Sequence, residues 1–177
     1  GDNQYDSAFG LPADRNNQVT RLDKMSLTSD NQITDAWHSQ IQLAQGTDNN
    51  HAYTNGVQQF YFKTRSNQFA WQNGLKIADG QRLNVAVEYL GQTVSSDTPY
   101  TQTNRKLNSL LGGYVANYGA QQVQLNLRQD RYSDFGTVNT GLLGYGWQFS
   151  NAWRATAAIG NAFKAPTFLD MYAPAAW

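Results

Sequence analysis

Cysteine is absent from the 177 residues, so disulfide staples and thiolate metal sites are excluded. Glutamate is almost absent too. Of the 13 acidic residues only Glu88 is not aspartate. Aspartate favours turns and loops and glutamate favours helix interiors, so this bias speaks against a helical protein. Charged residues make up only 15% of the chain, against about 25% in an ordinary water-soluble globule. The 13 basic and 13 acidic residues cancel. No basic stripe is evident, and nucleic acid is not an expected partner. No run of about 18 apolar residues exists, so no helix is expected to cross a bilayer. No charged and apolar leader stands at Gly1, which for an exported protein implies a mature chain or a part of one. There are only two histidines, His38 and His51.

What is abundant is aromatic surface: 13% of residues, including five Trp and ten Tyr, in a chain of mean hydropathy −0.61. A disordered chain would have few aromatics and many charges. A wall with lipid on one side and water on the other reconciles the two values, because half of each strand is apolar and half polar.

Period-two alternation supports that reading. Val123, Leu125 and Leu127 alternate with Gln122, Gln124, Asn126 and Arg128. Leu83, Val85, Val87 and Tyr89 alternate with Arg82, Asn84, Ala86 and Glu88. Phe69, Trp71, Leu75 and Ile77 stand against Gln68, Gln72 and Lys76. Leu143, Tyr145, Trp147 and Phe149 form a fourth row, opposite Gly144, Gly146 and Gln148. Trp153, Ala155, Ala157 and Ile159 form a fifth. The pattern predicts an all-β fold: an antiparallel up-and-down meander of about eight strands of a transmembrane β-barrel. The predicted strands are 17–28, 33–46, 57–77 (interrupted near 64–67), 81–95, 102–118, 121–133, 136–149 and 151–164. Most reach the nine to eleven residues, roughly, that a tilted strand needs to cross a bilayer.

Short turns are predicted at 29–32, 78–81, 118–121 and 150–152, and longer polar loops at 46–56, 92–103 and 129–136. In a meander the short turns then share one rim and the long loops the other, as in outer-membrane barrels. Trp147, Phe149, Trp153, Tyr114 and Tyr118 gather near short turns, as an interfacial girdle would.

Catalysis has little to work with. No Gly-x-Ser-x-Gly elbow, phosphate loop or His-Glu-x-x-His occurs, and neither histidine has partners at a defined spacing. His38 falls on the polar face of its strand and is expected to line a wet lumen. The protein is not expected to be an enzyme. Gly144 and Gly146 imply close packing on the inner face. Two oxygen-rich groups could suit a hard cation: Asp2, Asn3, Tyr5 and Asp6, and Asp48, Asn49 and Asn50.

The stretch Asn161-Ala162-Phe163-Lys164-Ala165-Pro166-Thr167-Phe168-Leu169-Asp170-Met171-Tyr172 follows these strands. It resembles the mid-barrel signature of TonB-dependent outer-membrane receptors. Gly1 to Asp6 and the strand Gly144-Tyr145-Gly146-Trp147-Gln148-Phe149 extend the likeness, which is most similar to the vitamin B12 (cobalamin) branch. The resemblance covers nearly the whole chain. It implies a piece of a barrel of about 22 strands with a plugged lumen, the plug and the TonB-contacting segment lying outside this sequence. It implies a bacterial outer-membrane importer of a large chelate, with lipid, the TonB complex and the chelate as partners. It also implies calcium at an acidic loop, with Asp2 and Asp6 matching part of that motif. Substrate contact is expected from the three long loops, with Tyr53, Tyr100 and Tyr132 as amphipathic stacking candidates. Three other readings stay open: a siderophore receptor, a small eight-stranded barrel of structural or adhesive role, and a secreted β-sandwich with the apolar rows buried between two layers.

Overall fold

A computed structural model describes residues 2–5 and 14–172. The fold is a single antiparallel sheet of nine strands in sequence order: β1 Asp2–Tyr5, β2 Asn16–Thr34, β3 Trp37–Thr54, β4 Val57–Ala78, β5 Gln81–Ser96, β6 Asn104–Tyr118, β7 Gln121–Tyr132, β8 Gly136–Gln148 and β9 Arg154–Gly160. A one-turn helix, α1 Phe168–Tyr172, follows. Every strand pairs with its sequence neighbours, and among the described residues β1 and β9 do not pair with each other. Eight of the nine strands are those the alternation predicts; β1 is additional. Strands β2 to β8 run from 12 to 22 residues. That is well beyond the five or six, roughly, of a globular strand.

No second layer covers the sheet. Only Val94, Ala116 and Phe168 are buried apolar residues among those described, whereas Leu125 is 37% and Trp147 49% exposed. A sandwich would have buried those rows, so that reading is overturned. The apolar rows instead coincide across strands. Ile41 pairs with Trp71, Trp71 with Val87, and Val87 with Leu110. Tyr114 pairs with Leu125, Leu125 with Leu143, and Leu143 with Ile159. Because successive side chains alternate faces, this register puts one continuous apolar band on one side. The opposite side carries His38, Gln40, Gln72, Asn84, Asn126 and Arg128, which border one groove of about 580 Å³. A groove shared by strands that far apart requires the sheet to curve round that face. The polar face is concave and the apolar face convex.

The connections differ from expectation on both rims. The first hairpin closes at Asp35 and Ala36, not at 29–32, so β2 and β3 are longer. Residues 46–56 are not a long loop: β3 continues to Thr54 and a two-residue Asn55-Gly56 turn leads into β4. Both turn residues have positive φ, 53° and 80°, the geometry of the tight hairpin turn that Asn-Gly favours. β4 is continuous through 64–67. The second rim's other connections shorten to 97–103 and 133–135. β9 is shorter than 151–164, ending at Gly160. In 46–56 and 64–67 both faces are largely polar. Polarity there marks strand that rises above the apolar band, where hydrophobic alternation carries no signal.

Candidate functional site: inner wall and loop rim

The short turns at 35–36, 79–80, 119–120 and 149–153 share one rim. Aromatics edge it on the convex side. The Trp37 indole donates to Asn73 (2.9 Å), Tyr145 donates to Gln121 (3.1 Å), Tyr114 donates to Gln81 (2.9 Å), and the Tyr114 and Tyr118 hydroxyls lie 2.9 Å apart. Each ring is apolar toward the band and satisfied by hydrogen bonding at its tip, as an interfacial aromatic requires.

The inner wall is hydrophilic and mostly uncharged, with one ionic knot. Glu88, Ser109 and Asp130 stand directly across β5, β6 and β7. Arg128 reaches all three: Nε to both Asp130 oxygens (2.9 Å), Nη1 to Glu88 (3.0 Å) and Nη2 to Ser109 (3.0 Å). His38 lines the same groove, as expected, with Nε2 2.6 Å from Asp30. A Cβ at Gly146 would stand 2.9 Å from Arg154 Nη2. The room that Gly146 leaves is therefore filled by the Arg154 guanidinium, which donates to Gln122.

At the other rim, the segment after β9 folds back onto the inner side. Asn161 anchors it, its backbone N–H donating to Gly141 O (3.0 Å) and its side-chain amide to Asn139 O (3.1 Å). Thr167 and Asp170 then cap α1 reciprocally: Thr167 N–H donates to Asp170 Oδ2 (2.8 Å) and Asp170 N–H to Thr167 Oγ1 (3.2 Å). Arg105 holds the segment down. Its side chain is 5% exposed, and its Nε donates to Asp134, itself 1% exposed, at 2.7 Å. Nη1 donates to Pro166 O at 2.8 Å. The guanidinium carbon lies 5.3 Å from the Phe135 ring centre and 4.9 Å from that of Phe168, within range of cation–π attraction. Tyr172 donates to Asp134 at 2.6 Å, and Thr101 N–H to Tyr172 O at 3.2 Å. Arg105 and Tyr172 between them therefore tie together the 97–103 loop, the 133–135 turn and the signature segment. Burial pushes the Asp134 carboxyl up. The Tyr172 and Arg105 hydrogen bonds and the Arg105 charge outweigh it and hold the group below the usual carboxylate range.

The sequence candidates separate. Tyr132 is at the inner face of β7, stacked on Phe135 (4.2 Å between ring centres) and 6.2 Å from Phe163. Tyr100 is in the 97–103 loop, 5.6 Å from Phe62. Burial, with the nearby Asp97 charge, raises its hydroxyl above the usual tyrosine range. Tyr53 is in β3, on the convex side, stacked with His51 at 6.1 Å, and His51 lies 5.0 Å from Tyr61. His51 is thus a strand residue and not a loop residue. Asp48 and Asn50 share a face and hydrogen-bond each other (2.8 Å). Asn49 pairs with Lys63 on the other face, so alternation splits that oxygen-rich group. Only the backbone of Asp2 is described, and Asp6 lies outside the described residues. No group of three or more His, Asp or Glu gathers as metal ligands among the described residues. Arg105, Asp134 and the Arg128 knot were not anticipated. Arg105 occupies an inward position on β6, where the row of apolar residues gives no sign of its partners.

A curved meander with an apolar convex band, an aromatic rim and a hydrophilic concave wall is a section of a transmembrane β-barrel. No protein-family model matches the chain. Over 176 residues, 98% of its length, it is 26% identical to the Vitamin B12 transporter BtuB of Photobacterium profundum. It is 24% identical over 97% of its length to the protein of that name from Vibrio cholerae. A 115-residue stretch is 30% identical to the Vibrio vulnificus protein of that name. The chain spans 28% of the length of the first two relatives. The resemblance to the vitamin B12 branch of barrel receptors holds across the sheet.

Proposed function

We propose that this chain is part of the barrel of an outer-membrane importer that takes up cobalamin and is driven through TonB. The observation that carries the reading is similarity to vitamin B12 transporters over 98% of the chain, on a sheet whose two faces suit lipid and water. The barrel supplies a rigid wall. The rim at 55–56, 97–103, 133–135 and 161–172 faces the cell exterior and contributes to substrate binding. Tyr100 and Tyr132 present rings from the inner side of that rim. Tyr53 reaches a ligand only over the crest of the Asn55-Gly56 turn. A calcium ion held in part by Asp2 and Asp6 orders the neighbouring loops. The chain carries transport and no catalysis.

The test is equilibrium binding of cobalamin to the full-length protein in detergent, with and without calcium. Saturable binding that weakens when calcium is chelated supports the reading. Binding of a ferric siderophore with no affinity for cobalamin sinks the cobalamin assignment and leaves the importer class. Binding unchanged by chelation removes calcium alone.

A further inference from the structure

The convex face carries a charge pattern that neither transport nor barrel closure uses. On β4 the apolar band ends at Phe69, on β6 at Leu110 and on β7 at Leu127. On each strand the side chain four residues further toward the loop rim, on the same face, is a cation: Arg65, Lys106 and Arg131. The register confirms the facing. Phe69 pairs with Tyr89, Tyr89 with Asn108, and Asn108 with Arg131. Gly91 pairs with Lys106, and Thr93 with Arg65. Four residues span about 13 Å along a strand. Along these rows Arg65 stands four residues and Lys106 two residues nearer the loop rim than Arg131, a stagger that the roughly 35–45° strand tilt of an outer-membrane barrel brings close to one height. The corresponding positions on β3, β5 and β8 are Thr47, Thr93 and Asn139, all neutral. Arg21 holds the same offset from Met25 on β2 but is paired with Asp23 at 2.9 Å.

Among the described residues Arg65, Lys106 and Arg131 are exposed and form no ion pair or side-chain hydrogen bond. From β3 to β8, no carboxylate occupies an outward strand position above the band. Of the loop carboxylates beside these strands, Asp97 accepts the Tyr61 backbone N–H at 2.8 Å and Asp134 accepts from Arg105 at 2.7 Å. Lys106 and Arg131 are diagonal neighbours on adjacent strands, a spacing of about 7–8 Å. Two like charges that close are unfavourable unless an anion lies between them. At this height, just outside the hydrocarbon, the anion the surroundings offer is the phosphate of a lipid headgroup, which basic side chains attract.

We propose that Arg65, Lys106 and Arg131 form a site on the outer wall for phosphorylated headgroups of the lipid leaflet at the loop rim. This rests on the reading that the convex band meets hydrocarbon. The test uses the full-length protein in nanodiscs of phosphatidylcholine doped with either bisphosphorylated or dephosphorylated lipid A, with retained lipid measured by native mass spectrometry. Wild type should retain the bisphosphorylated lipid at least about tenfold better. The double variant Lys106→Gln, Arg131→Gln should lose that preference, from about fivefold per cation removed. Lys106→Arg should keep it, and Lys76→Gln, on the inner wall beside Asp79, should change nothing. Equal retention of the two lipids by wild type, or an unchanged preference in the double variant, overturns the site. Failure of wild type to enter phosphatidylcholine discs at all overturns the membrane reading itself, and the site with it. The two failures are therefore distinguishable.

Discussion

Replacing Arg105 with methionine should release the signature segment from the rim while leaving the barrel wall folded. The magnitude follows from what stays behind. Asp134 loses its 2.7 Å partner and keeps only the Tyr172 hydroxyl at 2.6 Å, and its other oxygen already lacks a partner. Pro166 O loses its donor as well. Breaking a buried ion pair from one side costs about 3–5 kcal/mol. One donor remains and the carboxyl can protonate, so the lower end applies, about 3 kcal/mol. The loss is local, because Arg105 ties the 133–135 turn to the signature segment and the strand ladders do not depend on its side chain. Hydrogen exchange should therefore accelerate about a hundredfold at the amides of Thr101 and Met171, which bond to Tyr172 O and Thr167 O. Amides in the β4–β5 ladder should exchange at the wild-type rate. The double variant Arg105→Met, Asp134→Leu should recover much of the protection, since no buried charge is left unpaired. Exchange at Thr101 and Met171 within about threefold of wild type would refute the anchoring role, and so would a double variant as loose as the sum of the singles.

Two further outcomes follow from the same geometry. The Asp134 carboxyl is depressed in the folded protein, so its contribution is fully present above the ordinary carboxylate value of about 4 and is lost as pH falls through the folded value. Proteolysis or exchange of 161–172 should consequently rise on acidification below about pH 4 and stay flat from there to neutrality. On the wall, Leu125→Arg should destabilise the protein in phospholipid by about 2–4 kcal/mol, whereas Gln124→Arg, on the wet face next to it, should change equilibrium unfolding by less than about 1 kcal/mol. Equal costs at the two positions would contradict the assignment of faces.

Much of the wall could be read from residue order, because alternation is a local property. Wherever one face meets an apolar medium, as at Val123 to Leu127 or Leu83 to Tyr89, each strand declares its face without reference to its neighbours. The signature around Phe163 to Tyr172 likewise pointed to the barrel class. Where both faces are wet the same logic goes silent. β3 beyond Gly46 therefore resembled a loop and 64–67 an interruption of β4, although Asn55-Gly56 was a hairpin signal.

Residue order by itself determined the strand type, the two faces and the kinship. Folding decided which distant groups meet. Arg105 finds partners 29, 61 and 66 positions away in Asp134, Pro166 and Met171, and Arg128 finds Glu88 40 positions away. The level row of cations emerges only once strand direction and register are known. A period of two tells a side chain which way to point, but the distance between side chains on separate strands is set by the hydrogen-bond ladder that aligns them.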